Sequence, residues 1–129
     1  VMRTNAITKQ NHAIQTKLEK VLSYTKQTMV TYMSEEDLNR LCTYVAEYST
    51  GDTLQKISPV KVDSQLKSID IMHFGWNIGK AFGRKRIHTA TFIKNVFAHT
   101  LRDLEISTIE RKMSHTESVC CIKLDVKIV

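Results

Sequence analysis

Phe74-Gly75-Trp76-Asn77-Ile78-Gly79-Lys80-Ala81-Phe82-Gly83-Arg84-Lys85-Arg86 carries three of the chain's four glycines, spaced four apart, and then three consecutive cations. Leu66, Ile69, Met72, Phe74, Trp76, Ile78 and Phe82 predict a helix from about Gln65 to Phe82, with Ser64 as its cap. Apolar residues surround most of it, so it is expected to be the central buried helix. On a helix the three glycines form a bare strip along one face. Each interior glycine costs the helix about 1 kcal/mol relative to alanine, so something compensates. The expected compensation is close approach of a second helix, with Gly83 as C-cap. The alternative is close approach of a ligand or a nucleic-acid backbone, to which His73 and Asn77 would add polar contacts. A membrane pairing of the G-x-x-x-G type is excluded, since the segment is short and carries His73, Asn77 and Lys80.

Downstream, Ala90, Ile93, Val96, Phe97 and Leu101 predict a helix from about His88 to Leu101. Leu104, Ile109 and Met113 predict another from Arg102 to about Ser114. Upstream, no Pro or Gly interrupts residues 5–33. Ile7, Ile14, Leu18, Val21, Leu22, Met29, Tyr32 and Met33 mark one apolar stripe on a helix of roughly 40 Å. That exceeds what a small domain covers, so residues 1–33 are read either as fraying at their start or as a dimerisation element. The threonines and β-branched residues at 28–31 weaken the helix end. Ser34-Glu35-Glu36-Asp37 then places a hydroxyl cap and three acids at the start of a second helix. Leu38, Leu41, Cys42, Val45 and Tyr48 form its buried stripe, and Gly51 is expected to end it.

Two stretches read as β. Leu54, Ile57, Val60 and Val62 with Pro59 suggest a short edge strand. Cys120, Ile122, Leu124, Val126 and Ile128 alternate with Cys121, Lys123, Asp125 and Lys127 at strict period two, which predicts a strand. That strand needs a partner, either the first segment or its equivalent in a second subunit. The fold class expected is therefore mainly α with a small β element, a single domain over 1–129 with its globular part at 34–129.

The formal charge is +6, and residues 1–54 contribute none of it, with six Lys or Arg against six Asp or Glu. No acid occurs between Asp70 and Asp103, while Lys80, Arg84, Lys85, Arg86, Lys94 and Arg102 all do. A concentrated, uncompensated positive field attracts polyanions.

Helix, glycine turn, basic loop and helix over residues 66–101 make the outline of a helix-turn-helix. The wider order of elements is similar to a winged helix, with one strand in place of the wing hairpin and an extra helix before it. That resemblance implies that the first residues of the second helix (His88, Thr89, Thr91 and Lys94 or Asn95) face base edges. Lys80, Arg84, Lys85 and Arg86 would hold phosphates.

Other classes are less well served. No apolar run approaches the ~20 residues that span a bilayer, and Val1–Lys20 lacks the apolar centre of a secretory signal, so a soluble cytoplasmic protein is expected. Cys42 and the adjacent Cys120 and Cys121 form no disulfide framework or C-x-x-C. The five histidines show no metal-ligand spacing, and no metal or cofactor is expected. His99 and Asp103, one helical turn apart, would be the only enzymatic pair, and the chain is read as a non-enzyme. The tyrosines lack the pairing with cations that single-strand RNA platforms use, which favours duplex DNA. The expectation is thus a DNA-binding regulator or accessory protein, as a homodimer. The alternative is an interaction module that binds an acidic protein through its basic face or its glycine strip.

Overall fold

A computed structural model describes residues 2–50, 57–115, 120–126 and 128, with side chains described from Thr16 onward. Among these residues the chain is mainly helical and contains no strand. Five helices follow in order: α1 (Met2–Met29), α2 (Glu35–Ser49), α3 (Ser68–Phe82), α4 (Arg86–Val96) and α5 (Ile106–Lys112). None is long and apolar enough to cross a membrane.

The long first helix forms as expected and stops at Met29, where the β-branched run begins. From its described half, Val21, Thr25 and Met29 are fully buried, and Leu22 and Tyr24 pack on the same core. This part of the stripe is therefore spent within the chain, against α2 and α3. Ile7 and Ile14 lie outside the described side chains. The Ser34 hydroxyl accepts the Asp37 N–H at 3.2 Å, so α2 starts as its sequence says. The expected stop, Gly51, falls outside the described residues, and the helix ends at Ser49 with Thr50 as its cap.

α3 begins three residues later than expected. Asp63 closes a turn first, its carboxylate accepting the Gln65 N–H and its carbonyl the Leu66 N–H. Lys67 rather than Ser64 is then the N-cap residue. α3 is the centre of the molecule. Ile71, Met72, Phe74 and Ile78 are buried, and Phe74 stacks on Tyr24 at 5.9 Å and meets Phe97 edge-on at 6.0 Å. The close-approach reading of the glycines also holds. A Cβ on Gly75 would stand 2.9 Å from Ile93, and one on Gly79 would stand 2.5 Å from the Thr89 hydroxyl. Gly83 adopts φ 69° and ends the helix, with the Gly83 and Arg84 N–H groups returning to the carbonyls of Lys80 and Gly79.

α4 and α5 are both shorter than their apolar patterns suggest. α4 ends at Val96, and residues 97–104 run as turns into α5. Lys94 explains part of this, since its ammonium donates to the carbonyls of Leu101 (2.6 Å) and Arg102 (3.2 Å) and folds the chain back. His99 and Asp103 consequently share no helical turn. Both are exposed, and Asp103 sits beside Arg102 instead.

The two expected strands are the main correction. Residues 57–63 form no ladder, and Leu54 lies outside the described residues. The Tyr44 hydroxyl accepts the Ser58 N–H (2.9 Å), Arg40 donates to the Pro59 carbonyl (2.9 Å), and the Val60 N–H reaches Val96 (2.9 Å). The C-terminal stretch, whose Lys127 is not described, runs through bends and a turn beside α3. Its backbone groups meet side chains instead of a neighbouring strand. Asp70 accepts the N–H groups of Cys121 (2.6 Å) and Ile122 (3.1 Å). Asn77 donates to the Lys123 carbonyl and accepts the Asp125 N–H, both at 2.8 Å. The period of two matches alternating burial only from Cys120 to Asp125, since Val126 is exposed, and it does not reflect pairing, because helix side chains satisfy the backbone that a ladder would use. Among the described residues there is no strand and so no wing.

Candidate nucleic-acid interface

α3 and α4 are joined by Gly83-Arg84-Lys85 alone, so the sequence-predicted cations converge where one helix ends and the next begins. A groove of about 330 Å³ opens there. Trp76, Lys80, Arg84 and Arg86 line it, with Gly79 and Met113 among the other lining residues, and among the described residues no carboxylate does.

Each cation in the groove is held differently. Lys80, in the last turn of α3, is exposed and stands 3.3 Å from the Asp125 carboxylate. Arg84 folds back so that its guanidinium lies 5.2 Å from the centre of the Tyr48 ring. Its Nε is buried without a hydrogen-bond partner. Arg86 lies 5.2 Å over the Trp76 ring and donates to the Glu110 carbonyl at 2.6 Å. It also reaches the Arg111 carbonyl and the Ser114 hydroxyl, both at 3.4 Å. A cation on the terminal carbonyls of α5 complements the negative end of that helix.

The remaining predicted residues divide into two groups. Lys85 and His88 are exposed at the start of α4. Thr89, by contrast, is buried against Gly79, and its hydroxyl bonds to that of Tyr48 and to the Lys85 carbonyl. Thr91 is half-buried and bonds back to the Ile87 carbonyl at 2.8 Å, while Lys94 is occupied with the 101–102 carbonyls. Tyr48 is stacked on Phe92 at 4.4 Å, and burial pushes its hydroxyl above the ordinary tyrosine value despite the bond to Thr89 and the nearby Arg84.

Two further cations, which the sequence did not single out, stand exposed at the end of α5: Arg111, whose carbonyl accepts from Arg86, and Lys112, which lines a separate cleft with Ser68, Ile69 and Met72. They stand 25 and 26 residues from Arg86 in the chain. Their only signal was their place in the last turn of a short helix. Among the described residues no group of three His, Cys, Asp or Glu is placed to hold a metal ion.

Comparison of the chain with protein-family models, curated proteins and solved structures finds no match. The residues themselves therefore carry the functional argument.

Proposed function

We propose that this chain binds nucleic acid, with duplex DNA as the ligand, through the basic face at the α3–α4 turn and the end of α5. The observation behind this reading is the gathering of Lys80, Arg84 and Arg86 in one groove whose described lining holds no carboxylate, with Lys85 exposed at the turn and Arg111 and Lys112 exposed at the nearby end of α5. Phosphates approaching that face displace condensed counterions from the DNA, so affinity falls steeply with salt. Two helices joined by a three-residue turn support a helix-turn-helix mode, with the start of α4 entering a groove of the duplex. In this form of the proposal Lys85 and His88 make the approach, and Arg84 and Arg86 add fixed charge. Thr89 contributes packing rather than base contacts.

A second reading has one observation on its side. Ile87 is 41% exposed between Arg86 and His88, an apolar contact better suited to an acidic protein than to a phosphate backbone. Fluorescence anisotropy with labelled mixed-sequence duplex DNA, at low and physiological salt, separates the two. DNA binding predicts salt-sensitive affinity that drops by more than tenfold when Lys85, Arg111 and Lys112 are all changed to Glu, with folding unchanged. Those three are better probes than Arg86, whose reversal would also unseat α5. No binding at low salt rejects the DNA reading, and Ile87→Asp then becomes the informative variant in a protein pull-down.

A further inference from the structure

The C-terminal stretch 120–126 is fastened to α3 with more care than a surface tail requires. Asp70, His73 and Asn77 are all buried and lie on one side of α3 at steps of three and four. Asp70 takes two strap N–H groups, Nδ1 of His73 lies 2.9 Å from the Ile122 carbonyl, and Asn77 brackets Lys123 and Asp125. The result is a fixed register that delivers one side chain, Asp125, to the rim of the basic groove. Among the described residues Asp125 is the only non-glycine with positive φ, at 60°. Its carboxylate accepts the Trp76 indole N–H at 2.7 Å and stands 3.3 Å from the Lys80 ammonium.

Lys80 and Trp76 both line the groove assigned above to phosphate. Lys80 also lines a second cleft of about 330 Å³, together with Lys17, Asn77, Ala81, Asp125 and Val126. It is thus the wall between a cationic groove and the one carboxylate that the described strap carries, Asp125. We propose that the strap is an internal competitor, in which Asp125 occupies Lys80 and the Trp76 edge until a phosphate displaces it. The inference rests on the DNA-binding reading and adds its regulation. The contact suits exchange: the Lys80 and Asp125 side chains are 65% and 54% exposed, so water screens their pairing and a multivalent anion overcomes it. The buried bonds of Asp70, His73 and Asn77 keep the strap in register while Asp125 is released, so the competitor stays at high local concentration.

The test uses the full chain as wild type, Asp125→Asn, Lys80→Gln and the double variant. Asn is the gentlest replacement, since it keeps an oxygen for the indole and tolerates a left-handed backbone. Anisotropy with labelled duplex DNA at low salt is expected to show Asp125→Asn binding about twofold to fivefold more tightly than wild type, the range an exposed ion pair allows. The gain should vanish in the Lys80→Gln background. Equal affinity of wild type and Asp125→Asn would overturn the strap proposal while leaving DNA binding intact. A gain that persists with Lys80→Gln would overturn it too, because general charge would then explain the effect. Absence of binding by all four proteins would reject the DNA reading and the strap with it.

Discussion

On one side of α3, Gly75 and Gly79 offer no side chain and let Ile93 and Thr89 of α4 come into contact; on nearly the opposite side, Asp70, His73 and Asn77 offer hydrogen bonds to the strap. At about 100° per residue the two groups are roughly half a turn apart, so α3 is clasped between a steric contact and a polar one. The difference lies in what each contact tolerates. A glycine contact is non-directional and fails when volume is added. A polar ladder is directional, sets the register of its partner, and fails when a donor or acceptor is removed. The molecule uses the first to place a helix and the second to place an irregular stretch of backbone.

Removing acceptors should therefore give the largest effects. Asp70 takes the Lys67 N–H at 2.9 Å as well as those of Cys121 and Ile122, so it ties the start of α3 to the strap. Asp70→Ala is expected to cost about 3 kcal/mol in urea unfolding, from buried donors left without partners. A loss below about 1 kcal/mol would mean that the strap is peripheral. His73→Phe should come next. Nε2 of His73 faces the His115 carbonyl at 2.7 Å while Nδ1 faces that of Ile122, so the ring joins two parts of the chain. A neutral ring donates to one of these and a doubly protonated ring to both. Phe fills the space and satisfies neither, with an expected loss of about 2 kcal/mol.

Adding volume on the other face should cost less. Gly79→Ala gains about 1 kcal/mol of helix propensity but drives a methyl into Thr89, whose position is fixed by Tyr48. Overpacking of 1–3 kcal/mol, roughly, outweighs that gain, for a net loss near 1 kcal/mol. Thr89→Ala removes both atoms closest to the new methyl. In that background Gly79→Ala should turn neutral or stabilising, a sign change that a double-mutant cycle reads directly. Unchanged destabilisation in the double variant would show that the face is not governed by volume.

The two faces also differ in how far the sequence disclosed them. Glycines at 75 and 79 announce close approach through a property of single residues, the missing Cβ, and the apolar periods of α1 to α4 follow from which side of a helix meets the core. The basic run at 84–86 was equally visible, because its members are neighbours in the chain. The ladder was not. Asp70, His73 and Asn77 find their strap partners 46 to 52 residues away, and those partners are backbone groups that carry no sequence signature. Residues 120–125 alternate in burial because they lie on a surface, and alternation is equally the mark of a strand. Thr89 looked like a base-reading side chain at a helix start and is instead the neighbour of Gly79, a contact set by tertiary packing. Arg111 comes to the basic loop through Arg86, a long-range contact that charge counting does not see.

The smallest expected effect sharpens the polar side of the comparison. The hydrogen bond from Trp76 draws the Asp125 carboxyl below its ordinary value, with Lys80 adding to the pull against a partial loss of hydration. A carboxyl with a lowered folded-state pKa stabilises the fold fully above the unfolded value, about 3.9. That contribution disappears as pH falls through the folded value, so nothing should change between pH 5 and 8 from this group. The side chain is more than half exposed, which keeps the energy small, but the readout is specific: Trp76 is the only tryptophan in the chain. Its emission, compared between wild type and Asp125→Asn, should differ by a component that titrates below the usual carboxylate range. A difference component centred at or above about 3.9 would mean that Trp76 does not hold the carboxylate in solution. The ladder would then fix the strap only as far as Asn77, and Lys80 would be open to the groove at all times.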